Sequence, residues 1–132
     1  MKKLLTFTAA AAFFILSANS AFAGKCEIDA TSPVGIDDAQ LNFNPLVTSQ
    51  LVTVSNNGFE PLTVSSFVKS NWFDSSGCEG VTLEGGEACD IIVNFYPGNG
   101  GTNRQYHKRL TVSGITDSGN EFDQAICLDA TN

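Results

Sequence analysis

Apolar and polar residues alternate with a period of two along most of the chain, and short clusters of turn-forming residues interrupt the alternation. Leu41 and Phe43 alternate with Asn42 and Asn44 until Pro45 breaks the run, and Val52 and Val54 alternate with Thr53 and Ser55 before the turn residues Asn56, Asn57 and Gly58. Leu62 and Val64 alternate with Thr63 and Ser65. Further on, Cys89, Ile91, Val93 and Phe95 share one face, with Asp90, Asn94 and Tyr96 on the other and Ile92 as its one apolar member. Tyr106, Lys108, Leu110 and Val112 make the next face, and Phe122, Ile126 and Leu128 the last. Residues in an extended strand point alternately to its two sides, so a period of two marks strands with one buried face. Turn chemistry lies between the runs at residues 84–86, 97–101 and 117–120, each rich in Gly, Asn, Asp or Ser. No window of eleven residues after Ala23 carries a helical period. The pattern predicts an all-β fold, an immunoglobulin-like β-sandwich of about seven antiparallel strands. A closed barrel is the alternative arrangement of the same strands.

The N-terminus has a different grammar. Lys2 and Lys3 precede an apolar run from Leu4 to Leu16, and Ala21 and Ala23 bracket Phe22 where a signal peptidase reads small residues. The run is shorter than the roughly 20 residues a spanning helix needs. Residues 1–23 are therefore expected to be a cleaved secretory signal, leaving 24–132 as a single domain that is periplasmic or secreted. No integral membrane segment is expected after cleavage, and Gly24 and Lys25 stand where a lipoprotein would carry its cysteine.

Cleavage sharpens the charge. Fourteen acidic residues remain against five basic ones (Lys25, Lys69, Arg104, Lys108 and Arg109), a net charge of −9. Nucleic-acid binding needs a basic face to replace phosphate counterions, so no nucleic-acid partner is expected. All four cysteines, Cys26, Cys78, Cys89 and Cys127, survive cleavage. An even count in an exported chain reads as two disulfides, with three possible connectivities. The 52-, 11- and 38-residue spacings contain no C-x₂-C knuckle, so zinc is not expected.

Residues 51–64 run as an alternating strand, then Asn56, Gly58, Pro61 and Leu62, then a second strand. Farther along come Gly77-Cys78, then Leu83, Gly86 and Cys89, then an alternating strand ending at Phe95 and Pro97. This order resembles the abnormal-spindle/hydin (ASH) type of immunoglobulin-like domain, whose bacterial members carry choice-of-anchor D labels; Leu41 and Phe43 fit its opening strand. The resemblance spans about residues 39 to 128. Gly85 stands where the family usually has Pro, and the run Tyr106-His107-Lys108-Arg109 is an unusual entry to the following strand. The family pattern implies, and the compact turn at residues 81–87 permits, pairing of Cys78 with Cys89 and of Cys26 with Cys127.

Chemistry-bearing residues are scarce. His107 is the single histidine; a triad with Ser113 or Ser118 is formally possible, but no Gly-x-Ser-x-Gly elbow occurs. Asp37 with Asp38, and Glu84 with Glu87, are the carboxylate pairs available for acid–base work. No Asp-rich calcium loop, Met/His copper cluster or phosphate loop is present, so no cofactor or metal is expected. The glycine-rich segment 97–109 is the candidate binding loop, with Arg104, Tyr106, His107, Lys108 and Arg109 at its far end; Arg and Tyr are enriched at binding hot spots. Residues 67–73, with Trp72 and Phe73, are expected to cap one end of the core. The resulting expectation is a non-enzymatic binding or scaffolding module acting through loops or strand edges on an unknown protein or envelope component. The alternatives are a loop-inserting inhibitor or immunity-type protein and, as a variant of the scaffold, a pilus subunit.

Overall fold

Every alternating run becomes a strand because one face of each is buried against another sheet. The computed structural model describes residues 26–98 and 104–132. The expected signal segment 1–23 and residues 99–103 of the glycine-rich turn lie outside the described residues. Among the described residues the strands are β1 (Val34–Ile36), β2 (Gln40–Phe43), β3 (Ser49–Asn56), β4 (Leu62–Val68), β5 (Phe73–Ser76), β6 (Thr82–Leu83), β7 (Ala88–Phe95), β8 (Gln105–Thr116) and β9 (Glu121–Thr131), with no helix. One sheet has the order β2-β9-β8-β4-β6 and the other β1-β3-β7-β5. Together they form the expected immunoglobulin-like sandwich.

Two details depart from a plain set of seven antiparallel strands. The short pieces β1 and β6 raise the number of strands, and β2 runs parallel to β9, with Gln40 opposite Cys127 and Phe43 opposite Ala130. The parallel pair has a local cause. β1 is antiparallel to β3 in one sheet; after Ile36 the chain crosses over and joins the other sheet as β2. Asp37 secures the crossing by accepting a hydrogen bond from the Thr53 N–H (3.0 Å). Asp38 caps the Gln40 N–H (3.0 Å).

The core lies between the sheets. Leu62, Ile91, Phe95, Leu110, Ile126 and Leu128 are among its fully buried side chains, each contributing roughly 1.5–3 kcal/mol by leaving water. The two buried amides in it are satisfied. Asn56 donates to the carbonyls of Glu60 (2.7 Å) and Leu83 (2.8 Å) and accepts from the Gly58 N–H (2.9 Å), which fixes the turn between β3 and β4. Gln124 on β9 donates to the Val34 carbonyl of β1 (2.8 Å), joining the two sheets along one side. It also exchanges hydrogen bonds with the Asp29 backbone.

Both disulfides are present. Cys26 is bonded to Cys127 with a Cα separation of 5.5 Å, tying the N-terminal segment to the outer face of β9. Cys78 is bonded to Cys89 with a Cα separation of 5.8 Å, tying the β5–β6 crossover to β7.

Gly114 lies in the middle of this packing, on the buried face of β8. A Cβ there would stand 2.5 Å from a Val34 methyl and 2.7 Å from a Leu62 methyl, both on fully buried side chains. Such an insertion forces a filled core to move. Gly114→Ala is expected to lower stability by about 1–3 kcal/mol, read as a reduced denaturant midpoint with an unchanged slope.

Candidate functional site

β8 has twelve residues and β4 seven, and the mismatch opens one end of the sandwich. β4 pairs with β8 from Leu62 opposite Thr116 to Val68 opposite Leu110, and then leaves the sheet. β9 stays paired along β8 as far as Gln105. Residues 69–72 cross from β4 to β5 in the other sheet, over the unpaired flank of β8.

A cavity of about 290 Å³ lies at this opening, lined by Lys69, Ser70, Asn71, Trp72 and Lys108. The β8–β9 register runs without a bulge from Gln105 to Ile115, so Lys108 has the parity of its buried neighbours Tyr106 and Leu110. It stands opposite Leu128 on the core-facing side, yet it is exposed, because β4 has ended before reaching it. An ammonium at a core-facing position breaks the two-residue pattern where an apolar side chain would pack. Breaks of that kind concentrate at functional positions. The Ser70 hydroxyl accepts from the Trp72 N–H (2.8 Å) and the Phe73 N–H (3.3 Å), which fixes the crossover.

Trp72 and Phe73 cap this end of the core. Trp72 packs on Tyr106 (5.0 Å between centroids), Tyr106 on Phe95 (5.3 Å), and Phe95 on Phe73 (5.3 Å). Gly98 is required beside them, since a Cβ there would lie 2.5 Å from the Trp72 ring. The Arg104 guanidinium stands 5.9 Å from both the Trp72 and Tyr106 ring centroids, within cation–π range.

The residues expected on one binding loop are thus divided. The loop ends at Arg104, and Tyr106, His107, Lys108 and Arg109 belong to β8. Tyr106, expected at a contact surface, is 5% exposed and belongs to the core, because its parity turns its ring inward. His107 Nδ1 lies 2.5 Å from Asp129 Oδ1 on the neighbouring strand. Arg104, His107, Lys108 and Arg109 are exposed. Lys69 joins them through the cavity, a placement that only the β4–β5 crossover produces.

All four described Lys and Arg residues therefore gather at this end. Asp129 and Asp74 are already engaged here, Asp129 by His107 and by Gln40 Nε2 (2.6 Å), Asp74 by Asn94 Nδ2 (3.1 Å) and the Tyr96 hydroxyl (2.9 Å), and the C-terminal Asn132 sits at the same end with its N–H on the Arg104 carbonyl (2.9 Å). The Tyr96 bond to Asp74, made by the protonated phenol, raises the Tyr96 pKa above its ordinary value. Between β2 and β3, Leu46 stands at the tip of a turn, 95% exposed; the Asn44 side chain holds that turn by accepting from the N–H groups of Leu46 and Val47.

The opposite end has the reverse character. Glu60, Glu84, Glu87, Asp117 and Glu121 surround it, and none of the described Lys or Arg residues lies there. Phe59 is fully exposed on the Asn56-fixed turn, beside a groove of about 220 Å³ that Pro33 and Phe122 help to line. Ser118 donates to the Glu60 carboxylate from its N–H (3.1 Å) and hydroxyl (2.9 Å), and these bonds lower the Glu60 pKa.

No catalytic constellation assembles from the candidates. Ser113 is six residues along β8 from His107, about 20 Å away, and Ser118 is at the far end with Glu60. Glu87 caps the Glu84 N–H (2.8 Å), as Asp37 and Asp38 cap theirs. Among the described residues no group of three or more His, Cys, Asp or Glu could hold a metal ion. No helix among them is long and apolar enough to cross a membrane.

Neither a protein-family model nor a curated protein matches the sequence. Solved structures do match the fold. It is similar to the E. coli chaperone DraB (TM-score 0.61, 18% identity, covering 74% of this chain and 54% of DraB). It is similar to the periplasmic chaperone SfaE (TM-score 0.65, 13% identity, 74% and 56% covered). It is also similar to the ASH/PapD-like domain of human CEP192 (TM-score 0.59, 15% identity, 89% and 96% covered). The chain spans about half the length of the chaperones it matches and nearly all of the CEP192 domain. At these identities the likeness establishes the fold, an immunoglobulin-like sandwich of the PapD/ASH type.

Two measurements follow. The Tyr106 hydroxyl is buried with no hydrogen-bond partner among the described residues. Such an orphan costs about 1–3 kcal/mol, so Tyr106→Phe is expected to raise the denaturation midpoint while Tyr106→Ala lowers it sharply. Glu60 has a folded pKa below its unfolded value, so its contribution to stability is present above the unfolded pKa and lost as pH falls through the folded one. In Ser118→Ala, an NMR titration should find the Glu60 carboxyl returned toward the ordinary range.

Proposed function

We propose that the chain is an exported, disulfide-bonded, non-enzymatic binding module of the ASH type, and that its basic end is the surface that takes a protein partner. The observation that carries this reading is the gathering of Lys69, Arg104, Lys108 and Arg109 at one end of an otherwise acidic molecule. Concentrating like charges has a self-repulsion cost, and a complementary acidic surface relieves it. Lys108 strengthens the case, since an apolar residue at its core-facing position would pack better against Trp72. Export is supported by the signal-like N-terminus, by two disulfides, and by a fold shared with periplasmic chaperones. The ASH assignment rests on the Asn56-to-Leu62 and Cys78-to-Pro97 patterns and on the similarity to the CEP192 domain. The partner is expected to be an acidic protein surface in the envelope or outside the cell.

The test is an affinity capture with the oxidised mature chain, 24–132, against envelope and secreted fractions of its source. It runs beside a Lys69→Glu/Lys108→Glu copy, with circular dichroism to establish that both are folded. A partner captured by the unaltered copy and lost at least tenfold by the variant is the expected result. Equal capture by both would move the binding surface to a strand edge and overturn the assignment to the basic end.

A further inference from the structure

The complement that the basic end calls for is present on the chain itself. One end offers cations around the cavity of Lys69, Trp72 and Lys108, and Leu46 projects from the β2–β3 turn at the same end. The other offers carboxylates around Phe59 and an apolar groove. Each end joins an apolar element to a rim of one sign, and the two signs are opposite. We infer that the acidic surface taken by the basic end is the acidic end of a second copy of this chain, so that molecules associate head to tail. This inference rests on the reading of the basic end as the binding surface, and it names the partner.

Net charge opposes self-association in general, but its effect depends on distance. Lys108 and the turn after Thr116 are eight residues apart along β8, about 27 Å at the rise of an extended chain. Charges are screened over about 8 Å at physiological ionic strength. Two copies meeting end to end therefore feel mainly the opposed charges at the junction, while copies meeting side by side bring acids against acids. The acidic end is pre-ordered for contact: Asn56 fixes the Phe59 turn from within the core, and Ser118 holds the Glu60 carboxylate in place. Leu46 is held out on an equally fixed turn. The two surfaces differ, so the contact is heterologous: each copy joined keeps one basic and one acidic end free, and growth continues past a dimer.

Sedimentation of the oxidised mature chain tests this directly. At about 0.15 M salt, where charges are screened over about 8 Å, the average mass is expected to rise with concentration beyond that of a dimer, and to return to the monomer at about 0.5 M salt, where the screening length is only a few ångströms. A Lys69→Glu/Lys108→Glu copy has no intact basic end and a Glu84→Lys/Glu121→Lys copy has no intact acidic end. Each alone should associate at least tenfold more weakly, and mixing the two should restore association. Phe59→Ser should weaken it as well. A chain that stays monomeric at about 0.15 M salt overturns the inference, as does association that survives high salt or persists in both reversed copies. A monomeric chain whose capture of another protein still depends on Lys69 and Lys108 would overturn the inference alone. If neither self-association nor capture responds to Lys69 and Lys108, the basic end is not a binding surface and both readings fall.

Discussion

The geometry of the open, basic end depends on the unequal lengths of two neighbouring strands. β8 continues five residues past the point where β4 leaves it, because Val68 is the last β4 residue in register and the chain then turns through 69–72 to the other sheet. A sandwich whose strands ended together would close there over apolar side chains. Here a core-facing position of β8 meets water, Lys108 occupies it, and Trp72 forms a wall that remains partly open. The aromatic chain Trp72–Tyr106–Phe95–Phe73 seals the core immediately behind, so the charged opening costs the interior little.

The remainder of the molecule keeps that end fixed. Asn56 and Gln124 satisfy buried backbone carbonyls that the short strands β1 and β6 leave unpaired, and the two disulfides anchor the N-terminal segment and the β5–β6 crossover. A buried amide with all its bonds made rigidifies the segments it joins, whereas an unsatisfied one destabilises them. Tyr106 is the exception, its buried hydroxyl having no hydrogen-bond partner among the described residues. Both ends thus present their exposed groups from turns and strands held by interior bonds, so a contact made there would lose little to ordering.

The segregation of charge follows from the same frame. Strand order assigns each residue to one end or the other by its position along its strand. The bases fall where β4 finishes and β8 begins, while the turns joining β3 to β4, β6 to β7 and β8 to β9 bring Glu60, Glu84, Glu87, Asp117 and Glu121 to the opposite end. The result is an uneven distribution of charge between the two ends, which net charge alone does not describe.

Much of this was legible in the chain before folding. The two-residue period specified strands, their buried faces and hence the core, because a half-buried strand has no other way to separate apolar from polar side chains. The even cysteine count, the ASH-like motif order and the cluster from Arg104 to Arg109 were equally plain. The same period already placed Tyr106 and Lys108 on one face with Leu110, and so marked Tyr106 as core even where its chemistry argued for contact. Three things were not legible: the end of β4 before Lys108, the placement of Lys69 across the cavity from it, and the gathering of Glu60, Glu84, Asp117 and Glu121 at the far end. Periodicity is a local property, set by which side of its own strand a residue occupies. Where a strand stops relative to its neighbour, and which distant turns share an end, are settled by register and sheet order, and those exist only once the sheets have formed.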